Sequence, residues 1–589
     1  MVIPIQILQN DKNTYRTIRP QYLGTFGPAL FAYSMFLFSA QMLAQMDDSD
    51  ISDLSDGDDD DNEAALSNEE EEVSSDDEIS DDELEIGQTS VATWNKNIFT
   101  PLHTFLPVEA NIDIDANIHD KNPTDYFEPY LENAFTERLA ETTNQHALQI
   151  GCNFSNTNSD EIRRFIGSSF IMSVCGYPRM RMYYQRKYKT QFNLVPRDRM
   201  YTLRSHLHFV DDLAISAEAK QKNRFWKVSP IIINFRRAAF NTVPESQLSV
   251  DEQMICFEGR SQMKQYVPGK PHPWGLKNFV LCSSSGLVHD FILYQGATTF
   301  NRTIPSLGIG GNVVILLTRD LDPQRHHSIY FDRYFSSVKL LEMLGERGFH
   351  GTGTCMSNRV PAEVRGLLKS DKEMKREPRG TTDAVSRHDG AMTFTKWSDK
   401  RTIVMISTQH SLEPVDTVQR WNKIEKCYAE VSRPNVVAQY NHSMGGVDMC
   451  DRLLSFYRCR IRTKKWPIRV FFHFMDWSVV NAFLQYKQHC KLADISLKYD
   501  LLSFKQYIAE ALIASGGAQV FVNVSSIPTT TVNAAREASH MPIAVCLPQG
   551  CFPRCRNPGC SKKTHTKCRT CGIFLCIKSN ANCFQTYHS

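Results

Sequence analysis

The 589-residue chain reads as a mixed α/β protein with mainly helical flanks and a separate cysteine-rich end. Apolar residues at spacings of three and four dominate up to about residue 247. Short apolar runs with turn signals take over from residue 248. Eight of the 17 cysteines then crowd between Cys546 and Cys583. A chain of this length exceeds what one hydrophobic core organises, so several domains are expected.

Residues 1–46 stay unassigned. Phe26 to Ala44 is mostly apolar and follows Lys12, Arg16 and Arg19, as a signal peptide or short anchor would. Gly27 and Pro28 sit at its edge, and Ser34, Ser39 and Gln41 interrupt it, which makes a weak span, and no membrane association is expected. Met46 directly precedes the next segment and is a candidate alternative start.

Residues 47–92 form an acidic tail. Asp47 to Glu85 carry 21 acidic and no basic side chains, a density that cannot collapse onto a core. Its SSDDE and ISDDE stretches suit acid-directed kinases and suit a plain solubilising tail equally. Outside the tract, 66 Lys and Arg face 44 Asp and Glu, a net of +22 under a whole-chain value of +1. A body that basic points to a polyanion, with DNA or RNA first, although surface solubility explains it as well.

Residues 93–247 are expected to be helical, with clear periodicity in Glu161 to Met172 and Tyr201 to Val210. Arg179 to Lys189 interleaves basic and aromatic residues, a texture that fits DNA backbone contact or a solvated helical face. Residues 248–360 begin with strand character at Leu248, Val250 and Met254 to Phe257. Phe279 to Cys282 and Leu287 to Tyr294 flank the turn Ser283 to Gly286, which predicts a hairpin. Val313 to Leu317 reads as buried, Ser328 to Asp332 as a short strand, and Ser336 to Gly348 as a helix with Ser at its start and Gly at its end. Residues 361–433 look like an insertion, polar at first and regaining strand character at Ala391 to Thr395 and Thr402 to Ser407. Residues 434–456 and 457–530 return to helix, 531–550 form a linker, and 551–589 are the cysteine-rich unit.

Four aspartates stand out by position. Asp251 lies on a strand, Asp332 ends another, and Asp448 and Asp451 share one face at the start of a helix. Singly, each fits a turn former, an N-cap or a favourable charge at a helix start. Together they can converge at a sheet edge, where carboxylates repel unless cations lie between them. Hard divalent ions prefer such oxygens, and two of them roughly 3.5–4 Å apart promote phosphoryl transfer.

The segments VDEQMICFEGR (from Val250), YVPGKPHPWGLK (from Tyr266), FDRYFSSVKLLEML (from Phe331), WSDKR (from Trp397) and YNHSMGGVDMCDRLLSFYRCRIRTKKWP (from Tyr440) resemble, in this order, the motifs of piggyBac-type transposases. The resemblance runs from about residue 95 to the C-terminus. It implies an RNase H-like catalytic core formed by residues 248–360 and 434–456 and interrupted by the insertion. It also implies DNA-binding and dimerisation segments at 93–247 and 457–530. Asp251, Asp332 and Asp448 would be the catalytic metal ligands and Asp451 the additional acid, with two Mg²⁺ or Mn²⁺ ions per site. The family's usual Asp-Asn-Phe reads Asp332-Arg333-Tyr334 here. The mechanism the resemblance implies is that water would attack the transposon end, the freed 3′-hydroxyl would form a hairpin on the opposite strand, and the reopened end would join double-stranded DNA at TTAA. A homodimer and a nuclear location follow from the same resemblance, with Lys369 to Arg379 a candidate import signal. Arg460, Arg462, Lys464 and Lys465 are candidate phosphate contacts, and Trp466 either stacks on a distorted base or belongs to the core.

The tail reads Cys555-x4-Cys560-x7-Cys568-x2-Cys571-x4-Cys576-x6-Cys583-x4-His588, with Cys551 and His565 as further candidates. The Cys568/Cys571 pair has zinc-knuckle spacing, and a segment without a core needs metal to fold. One or two Zn²⁺ are expected, with the ligand pairing open. Two other functions stay in play: a catalytically inactive, sequence-specific DNA-binding descendant of a transposase, and a zinc-finger adaptor or ubiquitin-ligase-type protein that would not need the aspartates.

Overall fold

The structure is a computed structural model. It describes residues 93–102, 120–185, 194–268, 270, 272–300, 302–422, 426–515, 542–544, 553–564, 566–568, 570–578 and 581–588. The N-terminal extension with its apolar run, the acidic tail, and the candidates Cys551 and His565 lie outside the described residues. The chain divides into two compact units, Met1–Val520 and Phe521–Ser589.

The first unit opens with a short strand, β1 (Trp94–Asn95), and a set of helices: α1 (Pro123–Phe127), α2 (Asn133–Gln149), α3 (Ser159–Cys175), α4 (Arg197–His206), α5 (Ala217–Lys222) and α6 (Ser229–Phe240). Local chemistry fixes the ends of α3. The Asn158 side chain accepts from the Glu161 N–H at 2.9 Å, and Gly176 closes the helix at φ 66. The expected helix over Tyr201 to Val210 stops at His206; Leu207 turns extended, and Phe209 packs against Phe471 at 5.3 Å.

A hairpin-rich section follows: β2 (Gln247–Cys256), β3 (Lys264–Tyr266), β4 (Trp274–Ser283) and β5 (Val288–Leu293). Gly286 makes the β4–β5 turn at φ 94. The chain then alternates through α7 (Gly308–Leu317), β6 (Ser328–Phe331), α8 (Val338–Glu346) and β7 (His350–Thr354). The Ser337 side chain caps α8, as its sequence predicts. Two short helices, α9 (Ala362–Leu367) and α10 (Asp371–Arg376), precede β8 (Thr382–Arg387), β9 (Thr393–Ser398) and β10 (Thr402–Ser407). A separate ribbon, β11 (Asp416–Asn422) and β12 (Cys427–Arg433), comes next. The unit ends in α11 (Asn435–Ser443), α12 (Gly446–Phe456), α13 (Trp466–Leu492) and α14 (Leu501–Ala514).

Ten strands form one mixed sheet in the order β1-β8-β9-β10-β7-β6-β2-β4-β3, with β5 on β4. β2, β6 and β7 run parallel, and the other pairs are antiparallel. Period-two alternation splits β2 between two cores. Leu248 and Val250 join Leu317, Phe331, Leu341 and Leu344 beneath α7 and α8. Ile255 joins the other core, built largely from α3, α6, α13 and α14.

α13 is the hub of that second core. It spans 27 residues and buries 18 of them. Even so, no helix among the described residues is long and apolar enough to cross a membrane. Two of its buried polar side chains are partnered across the unit. Asn481 accepts from the Val288 N–H at 3.0 Å and donates to the Val288 carbonyl at 2.9 Å, clamping α13 to β5. Asp476 accepts from the Cys459 N–H at 2.8 Å and from Lys505 Nζ at 2.8 Å, and the Lys505 ammonium also donates to the Tyr457 carbonyl at 2.6 Å. The Asp476 and Lys505 side chains are 4% and 3% exposed, so removing one strands a buried charge. Lys505→Met should therefore destabilise the unit by about 3–5 kcal/mol. Urea denaturation reads this directly, and a loss below about 1 kcal/mol would show that the pair does not hold α14 and the 457–465 segment to α13.

Candidate active site

Register places the first two candidate acids. In the parallel β2–β6 pair, Val250 lies opposite Phe331. Asp251 and Asp332 are each the next residue, so they lie side by side where β6 ends and β2 runs on. Strands this close lie about 4.8 Å apart. Asp251 stays in β2, where its Oδ1 accepts from the Glu252 N–H at 2.8 Å. Asp332 begins a turn: its Oδ1 accepts from the Tyr334 N–H at 2.9 Å, and its carbonyl accepts from Ser336 Oγ at 3.0 Å. Arg333 is exposed, and its positive charge favours the Asp332 carboxylate.

α12 brings the other two. The helix packs on β2 and β4 because Gly446 lets it come close. A Cβ there would lie 2.5 Å from Ser249 Oγ and closer still to the Ser283 carbonyl oxygen. Gly286 is the matching point from the sheet side, where a Cβ would sit 3.0 Å from the Cys450 nitrogen. Ser249, Asp251 and Gln253 alternate with the buried Leu248 and Val250, so they point to the α12 side. Gln253 Nε2 donates to Asp451 Oδ1 at 2.6 Å. Asp448 and Asp451 lie on the first turns of α12, Asp448 exposed and Asp451 with its carboxylate turned in against Gln253 although the residue keeps an exposed flank.

The nearby cations Lys270, Lys277 and Arg458 do not outweigh burial and mutual repulsion at these acids. Burial pushes the Asp251 carboxyl up to about 8, and the Glu252 and Asp332 charges add to it. Burial also raises Asp332, against the Tyr334 N–H, and Glu252 raises it further. Asp451 is raised by burial, against the Gln253 hydrogen bond, with Asp448 adding. Lys270 partly offsets this charge. Its Nζ lies 3.3 Å from the Glu252 carboxylate and donates to the Glu252 carbonyl at 3.2 Å. Burial disfavours the ammonium, but Glu252, Asp251 and Asp448 outweigh it and hold its pKa above the ordinary lysine value. All four acids thus share one field. Among the described residues they do not form a three-ligand group with oxygens within 4.8 Å of one another. A donor set made only of carboxylate oxygens is of the kind that hard divalent cations prefer.

Glu252, Gln253, Lys270 and His473 are site residues that sequence reasoning did not single out. The first two follow Asp251 directly, and strand alternation marks Gln253 as sharing its face. Lys270 sits within YVPGKPHPWGLK. His473 carries no local signal, because only the packing of α13 behind β2 brings it near.

The basic candidates lie between α12 and α13. Cys459 and Ile461 turn inward to the core, while Arg460, Arg462 and Lys464 are exposed, an extended alternation. Lys465 Nζ donates to the Ser205 carbonyl at 3.1 Å. Trp466 is half-buried, edge-on to Phe225 at 5.7 Å between ring centroids.

In the second unit, β13 (Pro542–Ala544), β14 (Thr566–Cys568), β15 (Ile577–Lys578), β16 (Ala581–Asn582) and α15 (Cys583–His588) frame two interleaved groups. Cys555, Cys560, Cys576 and Cys583 form one, and Cys568, Cys571 and His588 the other, with ligand atoms in each within 4.8 Å of one another. His588 Nδ1 bonds the Phe584 carbonyl at 2.8 Å, and Nε2 faces Cys571 Sγ at 3.4 Å. That arrangement leaves Nε2 as the metal-facing nitrogen.

A family model described as Transposase IS4 matches residues 122–483. Human PiggyBac transposable element-derived protein 3 is 28% identical over 479 residues, 80% of this chain and 76% of that protein. Human PiggyBac transposable element-derived protein 2 is 30% identical over 402 residues, 67% of this chain and 66% of that protein. A cryo-EM structure of a piggyBac transposase synaptic complex with hairpin DNA matches with a TM-score of 0.58 at 20% identity, covering 81% of this chain and 99% of that one, a likeness of fold.

A raised carboxyl pKa makes a pH prediction. Between its ordinary value of 3.8 and about 8, folded Asp251 holds a proton that the unfolded chain has released. Raising the pH across this window therefore removes stability from the metal-free protein. Melts in EDTA at pH 5 and pH 8 should show the loss, and Asp251→Asn should shrink it. An unchanged difference in the variant would mean that Asp251 is not held protonated.

Proposed function

The chain belongs to the Transposase IS4 family in its piggyBac-type form, and on that premise we propose that it is a DNA transposase of the cut-and-paste kind, working in the nucleus as a homodimer on transposon ends and TTAA targets. The observation that supports the catalytic reading is the shared register of Asp251 and Asp332, beside which α12, carrying Asp448 and Asp451, packs closely on β2. The proposed core is RNase H-like. Asp251, Asp332 and Asp448 hold divalent ions, and Asp451 is the additional acid. Bound Mg²⁺ or Mn²⁺ would neutralise phosphate charge and favour the attacking and leaving oxygens of phosphodiester cleavage. The protein's own groups bind and orient the DNA. The exposed Arg460, Arg462 and Lys464, with Lys465, run along its backbone, and Trp466, with part of its ring accessible, is placed to meet a distorted base. No protein nucleophile is required, because water and then the freed 3′-hydroxyl attack, passing through a hairpin end.

The test is nicking of labelled DNA carrying the element's own terminal repeats, with Mg²⁺ or Mn²⁺. Asp251→Ala should lose several kcal/mol of transition-state stabilisation, on the order of 10³-fold in rate. Filter binding of the same DNA should change little. A wild-type protein that binds those ends tightly without nicking them would instead be an inactive, transposase-derived DNA binder.

We also propose that the C-terminal unit binds two Zn²⁺ ions, one in each interleaved group. Metal analysis should find two zinc per chain, and Cys560→Ser should lose one of them. A chelator should unfold the unit, read as a rise in amide hydrogen exchange over 553–588. Zinc-free protein with unchanged exchange there would reject the assignment.

A further inference from the structure

Behind the carboxylates lies a buried polar chain that no step of the proposed reaction uses. Gln253 is fully buried on β2, and His473 is 2% exposed on α13. His473 Nε2 lies 3.0 Å from Gln253 Oε1, and Gln253 Nε2 donates to Asp451 Oδ1 at 2.6 Å. An ionised carboxylate can only accept, so the Gln253 amide must turn its NH₂ to Asp451 and its carbonyl to His473. His473 must then carry its proton on Nε2. Its Nδ1 is left buried without a partner. A buried acceptor without a partner costs about 1–3 kcal/mol, a cost that core packing alone would avoid with an apolar side chain.

We infer that His473 and Gln253 are positioning residues, a fixed-polarity relay that holds one oxygen of Asp451 against β2 and so sets how the carboxylate faces the ions of the active site. The inference rests on the reading of Asp451 as a metal-site acid. The relay works because every member is buried and has one acceptable orientation. His473 cannot turn its proton to Nδ1 without losing Gln253, and Gln253 cannot flip without setting its carbonyl against a carboxylate. The relay also ties the acid to the element that carries the basic loop, since His473 and Trp466 belong to the same helix. Partners of metal-binding groups are commonly worth about 10-fold or more in metal affinity.

The experiment measures Mn²⁺ affinity and melting temperature on the full chain. Gln253→Met should weaken Mn²⁺ about 10-fold and lower the melting temperature, because His473 Nε2 loses its partner. In Gln253→Met/His473→Phe both buried polar groups are gone, so stability should recover while Mn²⁺ binding stays weak. His473→Leu leaves the Gln253 carbonyl unheld, so Gln253 is fixed by Asp451 alone, and should weaken Mn²⁺ by a smaller factor. A stable double variant with wild-type Mn²⁺ affinity overturns the inference. If the double variant fails to fold, unchanged Mn²⁺ affinity in His473→Leu overturns it. Asp451→Asn separates the two levels. If it leaves Mn²⁺ affinity unchanged, Asp451 is no metal-site acid and both readings fall. If it weakens binding while the relay variants do not, this inference alone falls.

Discussion

The close approach of α12 to the sheet is the constraint on which the rest of the site depends. A helix normally stands about 10 Å from a sheet, the distance set by the side chains between them. Gly446 removes the side chain at the point of contact, and Gly286 removes it from the facing turn. Only then can Gln253, a strand residue, reach Asp451 Oδ1 at 2.6 Å. With a larger residue at 446, Asp448 and Asp451 would lift away from β2 and from the end of β6, which carry Asp251 and Asp332. The four acids would still be present in the sequence but would no longer share one field.

α13 converts that local contact into a rigid frame. Its buried polar groups each hold a different element: His473 reaches β2 through Gln253, Asp476 reaches the basic segment and α14, and Asn481 reaches β5. An apolar helix of this length would pack well without fixing its own rotation or shift. Three partnered polar side chains along one helix specify both, since every slip would leave buried groups unpaired. The acids and the basic loop are thus registered to each other through one element rather than through flexible loops.

Much of this was legible in the sequence, for physical reasons that can be named. Strand alternation predicts that Asp251 lies on the face opposite Val250. The capped helix over Ser336 to Gly348 appears as Val338–Glu346 with Ser337 at its cap, and the SSSG turn appears between β4 and β5. The spacing of Asp448 and Asp451 predicts a shared helical face. Tyr201 to Val210 was read too long, because the apolar Phe209 serves a contact with Phe471 rather than a continued helix. Lys270, His473 and the Lys505–Asp476 pair were not legible, because their roles come from contacts up to 220 residues apart in the chain. The grouping of the candidate metal ligands was equally hidden: spacing names the candidates, but only the fold separates Cys555, Cys560, Cys576 and Cys583 from Cys568, Cys571 and His588.

The site also shows where folding and function pull apart. A sequence selected for stability alone would not set Asp251 beside Glu252 and Asp332 in a desolvated setting that raises both aspartates. Lys270 relieves part of that repulsion but pairs most closely with Glu252, at 3.3 Å, and leaves the aspartates undercompensated. The residual repulsion disfavours the metal-free state and leaves the metal-bound state correspondingly favoured, so the strain is itself a source of metal affinity. A fully neutralising set of lysines would make a more stable protein and a poorer ion site. Lys270 and Lys277 set against several carboxylates whose pKa values stay raised are therefore the charge balance expected where a divalent cation is to complete the structure.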